Sequence, residues 1–568
     1  MSVFPLLTIA IKLQAHDKSR IEGGSMSAQP NASAGVAPDG QSTPDSTTLL
    51  ERFSSRRSKE LVVAFAGPIG CGIGAVINIA RSRLKDLGYA DVVHIKLSDF
   101  LEDAIKERRI HGAQLLTGHS DRFNRYRRLQ EAGMELRRRT ENQAILAEYA
   151  IRHIRIDRTQ RTPTSAINHP DIPTVPRQVA YLIDQVKRPE EVVLLRALYR
   201  NLFHLVGVTR TYKERLALLQ NDSIRVEEAP VLAEIDGNES DDFGQRLDKT
   251  LHLADYFIRN DFSSGLDTNS ERIDRLFRLI HGDRSITPTS MEHGMYAAYA
   301  AGLRSACLSR QVGAAIAGAD GEVLATGCND VPRAGGGLYS ATDGKNDARC
   351  VKKPEQHCWN DFHKLALRSE IGKRIDSALG EAIEGEDPIR LSSARKESLL
   401  ASLYKTRLKD LIEFSRSVHA EMDAIVSLAR LGGPGIKGAT LYTTTFPCHS
   451  CARHIVASGI AKVYYIEPYE KSMARELHED SIAFEFSADK QKPNLVKFEH
   501  FEGVAPRRFS QFFAGSDRKT KEGKFIPMRE APVEKSIPEY LDNYQSFEVA
   551  AVAHFQSDLE KIPPNTAV

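Results

Sequence analysis

Four side chains capable of metal chemistry stand in two short segments: His419 and Glu421 in His-Ala-Glu, and Cys448 and Cys451 in Pro-Cys-His-Ser-Cys. One imidazole and two thiolates make three zinc donors and leave the fourth tetrahedral position open for water, as in a catalytic site. Zinc lowers the pKa of its water to about 7, so hydroxide is available near neutrality. Glu421, two residues from the imidazole, is placed to take that water's proton and return it. The rival arrangement is a closed zinc knot with a fourth protein ligand. The carboxylate beside His419 and the proline before Cys448 argue against it. The expected chemistry is metal-assisted hydrolysis.

Such donors need elements that bring them together. HAEMDAIVSLARLGG carries a helical period with His419 and Glu421 in its first turn, LYTTTF reads as a strand, and CHSCARHIVASGI is a second helix opened by both cysteines. Thiols at a helix N-terminus are acidified by the dipole and by nearby backbone N–H groups. The whole pattern, H-x-E followed by P-C-x-x-C, is the general signature of zinc deaminases acting on a nucleobase.

Further segments narrow the reading. Arg304-Ser305-Ala306-Cys307-Leu308-Ser309-Arg310-Gln311-Val312-Gly313-Ala314, then Gly327-Cys328-Asn329-Asp330-Val331-Pro332-Arg333, then HAEMDAI and TTTFPCHSC, resemble the deoxycytidylate deaminase family in order and wording over about residues 290 to 470. The resemblance implies attack at C4 of cytosine to give uracil, with Asn329 contacting the sugar and Arg310 lying toward the phosphate. By themselves, Gly-Cys-Asn-Asp is turn chemistry and Arg310 equally a surface cation. The sequence departs from a plain member in a long insertion, 334–418, and in an α/β region ahead of the deaminase segment. That combination resembles the bacterial anti-phage dCTP deaminases, which implies deamination of dCTP and dCMP and loss of a DNA precursor from an infected cell. Lys471, Arg507 and Arg508 are cations suited to phosphates. A housekeeping dCMP deaminase, a polynucleotide-editing deaminase and a non-enzymatic nucleotide sensor remain as alternatives. A strand-binding enzyme needs a basic groove or stacking aromatics, and a net charge of +2 with one tryptophan gives these little support.

The preceding region opens with LVVAFAGPIGCGIGAVINIARSRLKDLGY, a strand, a glycine-rich turn and an amphipathic helix. Gly67, Gly70, Gly72 and Gly74 sit where a phosphate-binding loop would, but Ile73 replaces its lysine and Gly74 its hydroxyl residue. Backbone N–H groups there can still cradle phosphate. Asp184, at the end of an apolar strand, and the helix around Glu135 resemble parts of nucleoside-phosphate kinases. A regulatory nucleotide site and a bare scaffold are both open. Cys350 and Cys358, with His357 between, are candidates for a second, structural zinc. Cys71 reads as a packing residue.

The 568 residues, 41% hydrophobic and 27% charged, allow several globular domains. We expect an α/β protein: a disordered segment over 1–50, a P-loop kinase-like parallel sheet with helices over 58–270, a cytidine-deaminase-like α/β/α domain over 285–535, and a frayed tail over 536–568. No apolar run is long enough to span a bilayer, and seven cysteines in this length are not a disulfide scaffold. A cytoplasmic location and no membrane partner are expected. The resemblance adds a homo-oligomer acting on a small-molecule nucleotide, restrained by an RNA or nucleotide inhibitor.

Overall fold

The computed structural model describes residues 58–561 apart from 113, 115, 162–176, 239–241, 262–265, 381–390, 404, 405, 407, 409, 410, 412, 413, 434, 469–471, 485–493, 515–517 and 527–543. The segment 1–50 and Lys471 lie outside the described residues.

The expected α/β architecture is present as two six-stranded sheets, each dominated by parallel pairing. The first holds β1 (Glu60–Ala66), β2 (Asp91–Lys96), β3 (Val179–Asp184), β4 (Phe203–Thr209) and β5 (Tyr256–Arg259). The second holds β6 (Gly313–Ala317), β7 (Val323–Cys328), β8 (Thr440–Thr445), β9 (Lys462–Glu467), β10 (Ile482–Phe484) and β11 (Val496–His500). The last strand, β12 (Gly503–Val504), follows β11 by two residues yet belongs to the first sheet.

Every residue of β1 and β4 is buried, as a parallel sheet covered by helices on both faces requires. The strands run β2-β3-β1-β4-β5 in parallel, and β12 closes the edge antiparallel to β5 with Gly503 opposite Phe257. In the second sheet the order is β7-β6-β8-β9-β11-β10; β6 pairs antiparallel with both neighbours, and the pairs from β8 to β10 are parallel.

The pleat of β6 separates two cores. Ala315 and Ala317 join the apolar cluster that continues from the first sheet, whereas Ala314 and Ile316 face the cluster holding Ala420, Cys448 and Cys451. Gly327 of β7 is where the helix Ala420–Leu431 comes closest: a Cβ there would lie 2.2 Å from the Ala420 carbonyl oxygen. The glycine that sequence alone reads as a turn residue is a close-approach residue.

The frayed tail is a correction. Residues Tyr544–Glu560 form a helix against the helix Ile145–Arg161, with Phe555 and Glu548 buried. The guanidinium of Arg158, fully buried, is shared between Glu60 at 2.8 Å and Glu548, and the Tyr199 hydroxyl donates to Glu548 at 2.8 Å. Arg158 and Tyr199, the partners of Glu548, lie hundreds of positions away, so no local pattern marks the docking of this helix.

Candidate active site

The helix Ala420–Leu431 begins immediately after His419, so the imidazole stands at the N-cap and Glu421 in the first turn. The helix His449–Ser458 starts with Cys448 as N-cap, whose sulfur accepts the Cys451 N–H at 3.4 Å. Strand β8 delivers the chain to that cap, and β6 and β7 seat the first helix on the same face of the sheet.

Cys448 Sγ and Cys451 Sγ each lie 3.3 Å from His419 Nδ1, and the three donors fall within 4.8 Å of one another. Two ligand arms of about 2.3 Å to sulfur and 2.0–2.1 Å to nitrogen, at tetrahedral angles, put S and N about 3.5 Å apart. The donor set fits zinc in both geometry and chemistry. Among the described residues no fourth protein ligand joins it, and Glu421 Oε2 lies 3.5 Å from Cys451 Sγ.

The protons of the site are shared between the donors. A hydrogen bond from Cys451, then the nearby His419, pulls Cys448 down to about 4, while Cys451 is pushed up by that same hydrogen bond and by burial. His419 is raised to about 9, first by its hydrogen bond to Cys448. Burial, then Cys448, pushes the Glu421 carboxyl up. A buried carboxyl of that kind is suited to carry a proton in both directions.

His419, Glu421 and Cys448 open on a cleft of about 340 Å³ together with Asn329 and Arg310. Asn329 is buried, and its carboxamide clamps its own neighbourhood: Oδ1 accepts the Val312 N–H at 2.7 Å and Nδ2 donates to the Arg310 carbonyl at 2.8 Å. Arg310 is half-exposed and 3.4 Å from Glu467. The wall residues that sequence reasoning missed include Phe446, Thr445, and Asn360, Asp361 and Lys364 from the insertion. Phe446 was legible, since it lies inside the motif just before Pro447. The insertion residues were not, because their helix, Trp359–Gly380, reaches the cleft only through the fold.

Other expected site residues lie elsewhere. Arg507 and Arg508 do not reach the cleft: both stand beside Asp255 at the edge of the first sheet, at 3.8 and 3.5 Å. A donor cluster for the second zinc at Cys350 and Cys358 is not formed among the described residues, although Cys307 and Cys358 are near enough to help burial raise the Cys350 thiol. A different group, Glu148, His554 and Asp558, does converge where the C-terminal helix docks.

Gly70, Gly72, Gly74 and Asp184 border one cavity of about 450 Å³, and Gly67 sits behind it as an acceptor for Gln185 and Lys187. Gly70 and Gly72 have φ of 80° and 77°, the conformation that favours glycine. The loop's Ile69 N–H is already donated at 2.7 Å to the buried carboxylate of Asp236, which Lys187 pairs at 2.6 Å. Asp184 lies 3.2 Å from His94, and Glu135 accepts the His111 N–H at 2.7 Å. Cys71 is buried, and burial pushes its thiol up to about 11.

Comparison with known proteins bears on the second sheet. Residues 288–467 match the model of the cytidine and deoxycytidylate deaminase zinc-binding region. The matched residues include His419, Glu421, Cys448 and Cys451. Deoxycytidylate deaminase of Enterobacteria phage T2 is 29% identical over 177 residues, 31% of this chain and 78% of that protein. The T4 protein of the same name is 29% identical over 175 residues, 31% of this chain and 76% of its own length. The dCMP deaminase of cyanophage S-TIM5, solved with dCMP and dUMP, aligns at 19% identity over 38% of this chain and 98% of its own, with a TM-score of 0.21. Among the described residues no helix is long and apolar enough to cross a membrane.

Proposed function

We propose that the protein is a zinc-dependent hydrolase of free deoxycytidine nucleotides, converting dCMP to dUMP and dCTP to dUTP. The observation that carries the reading is the meeting of His419, Cys448 and Cys451 with a buried Glu421 in one cleft whose walls also hold Arg310 and Lys364.

Zinc held by His419, Cys448 and Cys451 would supply an activated water. Glu421 takes a proton from the attacking water, places it on ring N3, and passes a proton to the amino group as the C4–N bond breaks. Cytosine and water leave as uracil and ammonia. Phe446 offers the pyrimidine an aromatic wall. Arg310 and Lys364 supply positive charge for phosphates, with Asp361 on the same wall and Glu467 3.4 Å from Arg310. A free nucleotide needs only such a local pair of cations, whereas a polynucleotide needs a basic track along its backbone.

The likeness to phage deoxycytidylate deaminases supports dCMP as a substrate. Activity on dCTP, and depletion of that precursor during phage infection, extend the reading through the resemblance and through the insertion at the cleft. The first sheet then regulates, because its glycine loop lacks the cation and hydroxyl of a phosphoryl-transfer site and holds Asp236 instead. The test is ammonia release from dCMP, dCTP, cytidine and single-stranded DNA by the zinc-loaded protein. Conversion of dCMP and dCTP is expected; conversion of DNA with neither nucleotide touched overturns the proposal.

A further inference from the structure

A cavity of about 560 Å³ lies between the two sheets; it shares only Phe446 with the lining of the metal cleft and only Pro68 with that of the glycine-loop cavity. Its walls come from the carboxyl ends of strands in both: Thr209 closes β4, Arg259 closes β5, His500 closes β11, and Pro468 follows β9. The crevice outside the carboxyl ends of parallel strands is the usual ligand site of open α/β sheets. Here four such ends from two sheets share one crevice of a volume typical of small-molecule sites.

The polar groups suit an anion. Arg259 is spent on Asp261 and Glu499, both at 2.9 Å. Arg215 is anchored on its inner side by donating Nε to the Ile69 carbonyl at 2.8 Å, and among the described residues it has no carboxylate partner. Arg475 is exposed, with its guanidinium 5.1 Å from the Phe484 ring. His500 Nδ1 is buried without a hydrogen-bond partner among the described residues, an unmet polar group at the cavity wall. Burial, then Arg259, Arg475 and Arg215, hold this imidazole neutral, with its pKa lowered to about 3. The remaining lining is mixed. Tyr212, Pro230 and Leu251 offer apolar surface, while Glu234 and Asp248 can accept from hydroxyl or amino groups.

We infer that this cavity is a second ligand site, taking a phosphate ester of nucleotide size whose phosphates meet Arg215 and Arg475. Phe446 is a wall of both this cavity and the metal cleft. Tyr465 stands edge-on to Phe446 at 4.9 Å and packs on His500 at 4.4 Å between ring centres, so an occupant touches the ring that lines the cleft. The site stands whether or not the cleft deaminates deoxycytidine nucleotides.

Calorimetric titration of the full, zinc-loaded chain with ATP and with tripolyphosphate tests the site; neither probe carries a cytosine. ATP is expected to bind more tightly than tripolyphosphate, Arg475→Glu to weaken ATP at least tenfold, and Arg475→Lys to retain most of the affinity. Arg215→Glu provides a second charge reversal, and an unchanged unfolding midpoint shows that each variant is folded. Gly74→Glu, which places a carboxylate in open space at the glycine loop, probes the competing seat. Loss of binding there with Arg475→Glu unaffected overturns the inference. So do equal affinity for the two probes, indifference to both charge reversals, or no binding of either probe at millimolar concentration.

Discussion

His419 and Glu421 do different work within one helical turn. The imidazole sits at the N-cap and faces the sulfurs, whereas the carboxyl, two residues further on, is buried and shares the cleft. Glu421→Gln keeps the shape and, on the proposed mechanism, removes the proton carrier. Its kcat is expected to fall by about 10²–10⁴-fold with zinc content unchanged, as read by steady-state rates and elemental analysis. Cys451→Ser should instead lose the zinc itself, because the site has three protein donors within reach of one another. Lys364→Ala is expected to raise KM for dCMP roughly tenfold with little change in kcat, since one charge-assisted hydrogen bond contributes about 1.5–3 kcal/mol. A fall in kcat at constant KM would place Lys364 in the chemistry rather than in substrate binding.

At the scale of elements, the site depends on how closely a helix can lie on a sheet. A Cβ on Gly327 would meet the Ala420 carbonyl oxygen at 2.2 Å and the Ala424 nitrogen at 2.4 Å, both backbone atoms that cannot swing aside. Gly327→Ala should therefore lift the helix that carries Glu421, costing about 1–3 kcal/mol of stability and a larger share of activity. Denaturant unfolding and deamination rates measured on the same sample would separate the two. A second element is pinned by charge. Burial alone would push the Glu228 carboxyl up, but the Ser120 hydroxyl at 2.7 Å and the backbone N–H groups of Arg225 and Ser120, both at 2.9 Å, hold it at about 2. A folded-state pKa below the usual 4.5 means this stabilisation is complete above pH 4.5 and is lost as pH falls toward 2. Glu228→Gln should be less stable than wild type at pH 7 by about 1–3 kcal/mol. The two proteins should converge in unfolding experiments as pH falls from 4.5 toward 2.

Over the whole molecule, the chain ties its regions together from the C-terminal side. Strand β11 ends the second sheet's run, and β12 then pairs with β5 of the first. The terminal helix returns to the first sheet's helices, where Glu548 and Glu60 share Arg158. Glu548→Ala leaves Arg158 one of its two carboxylates, so the cost should approach the lower end of the 3–5 kcal/mol typical of a broken buried pair, about 3 kcal/mol. Thermal unfolding checks this, and an unchanged midpoint would return the segment to a loosely held tail.

The candidate site residues were legible because their spacing is local: His419 with Glu421 at i, i+2 and Cys448 with Cys451 at i, i+3 stand at two helix starts, so each pair is brought together before any tertiary contact forms. The strand–helix alternation and the mostly apolar runs of β1 and β4 likewise announced parallel sheets, since burial on both faces leaves its mark on nearly every residue of a strand. Nothing local distinguishes Arg507, which serves Asp255, from an arginine aimed at a phosphate, or Lys364 from any other charged helix residue. Their roles, the docking of the last helix, and the crevice shared by both sheets depend on partners far away in sequence. Such contacts exist only once the chain has closed its loops, so periodicity and spacing carry no record of them.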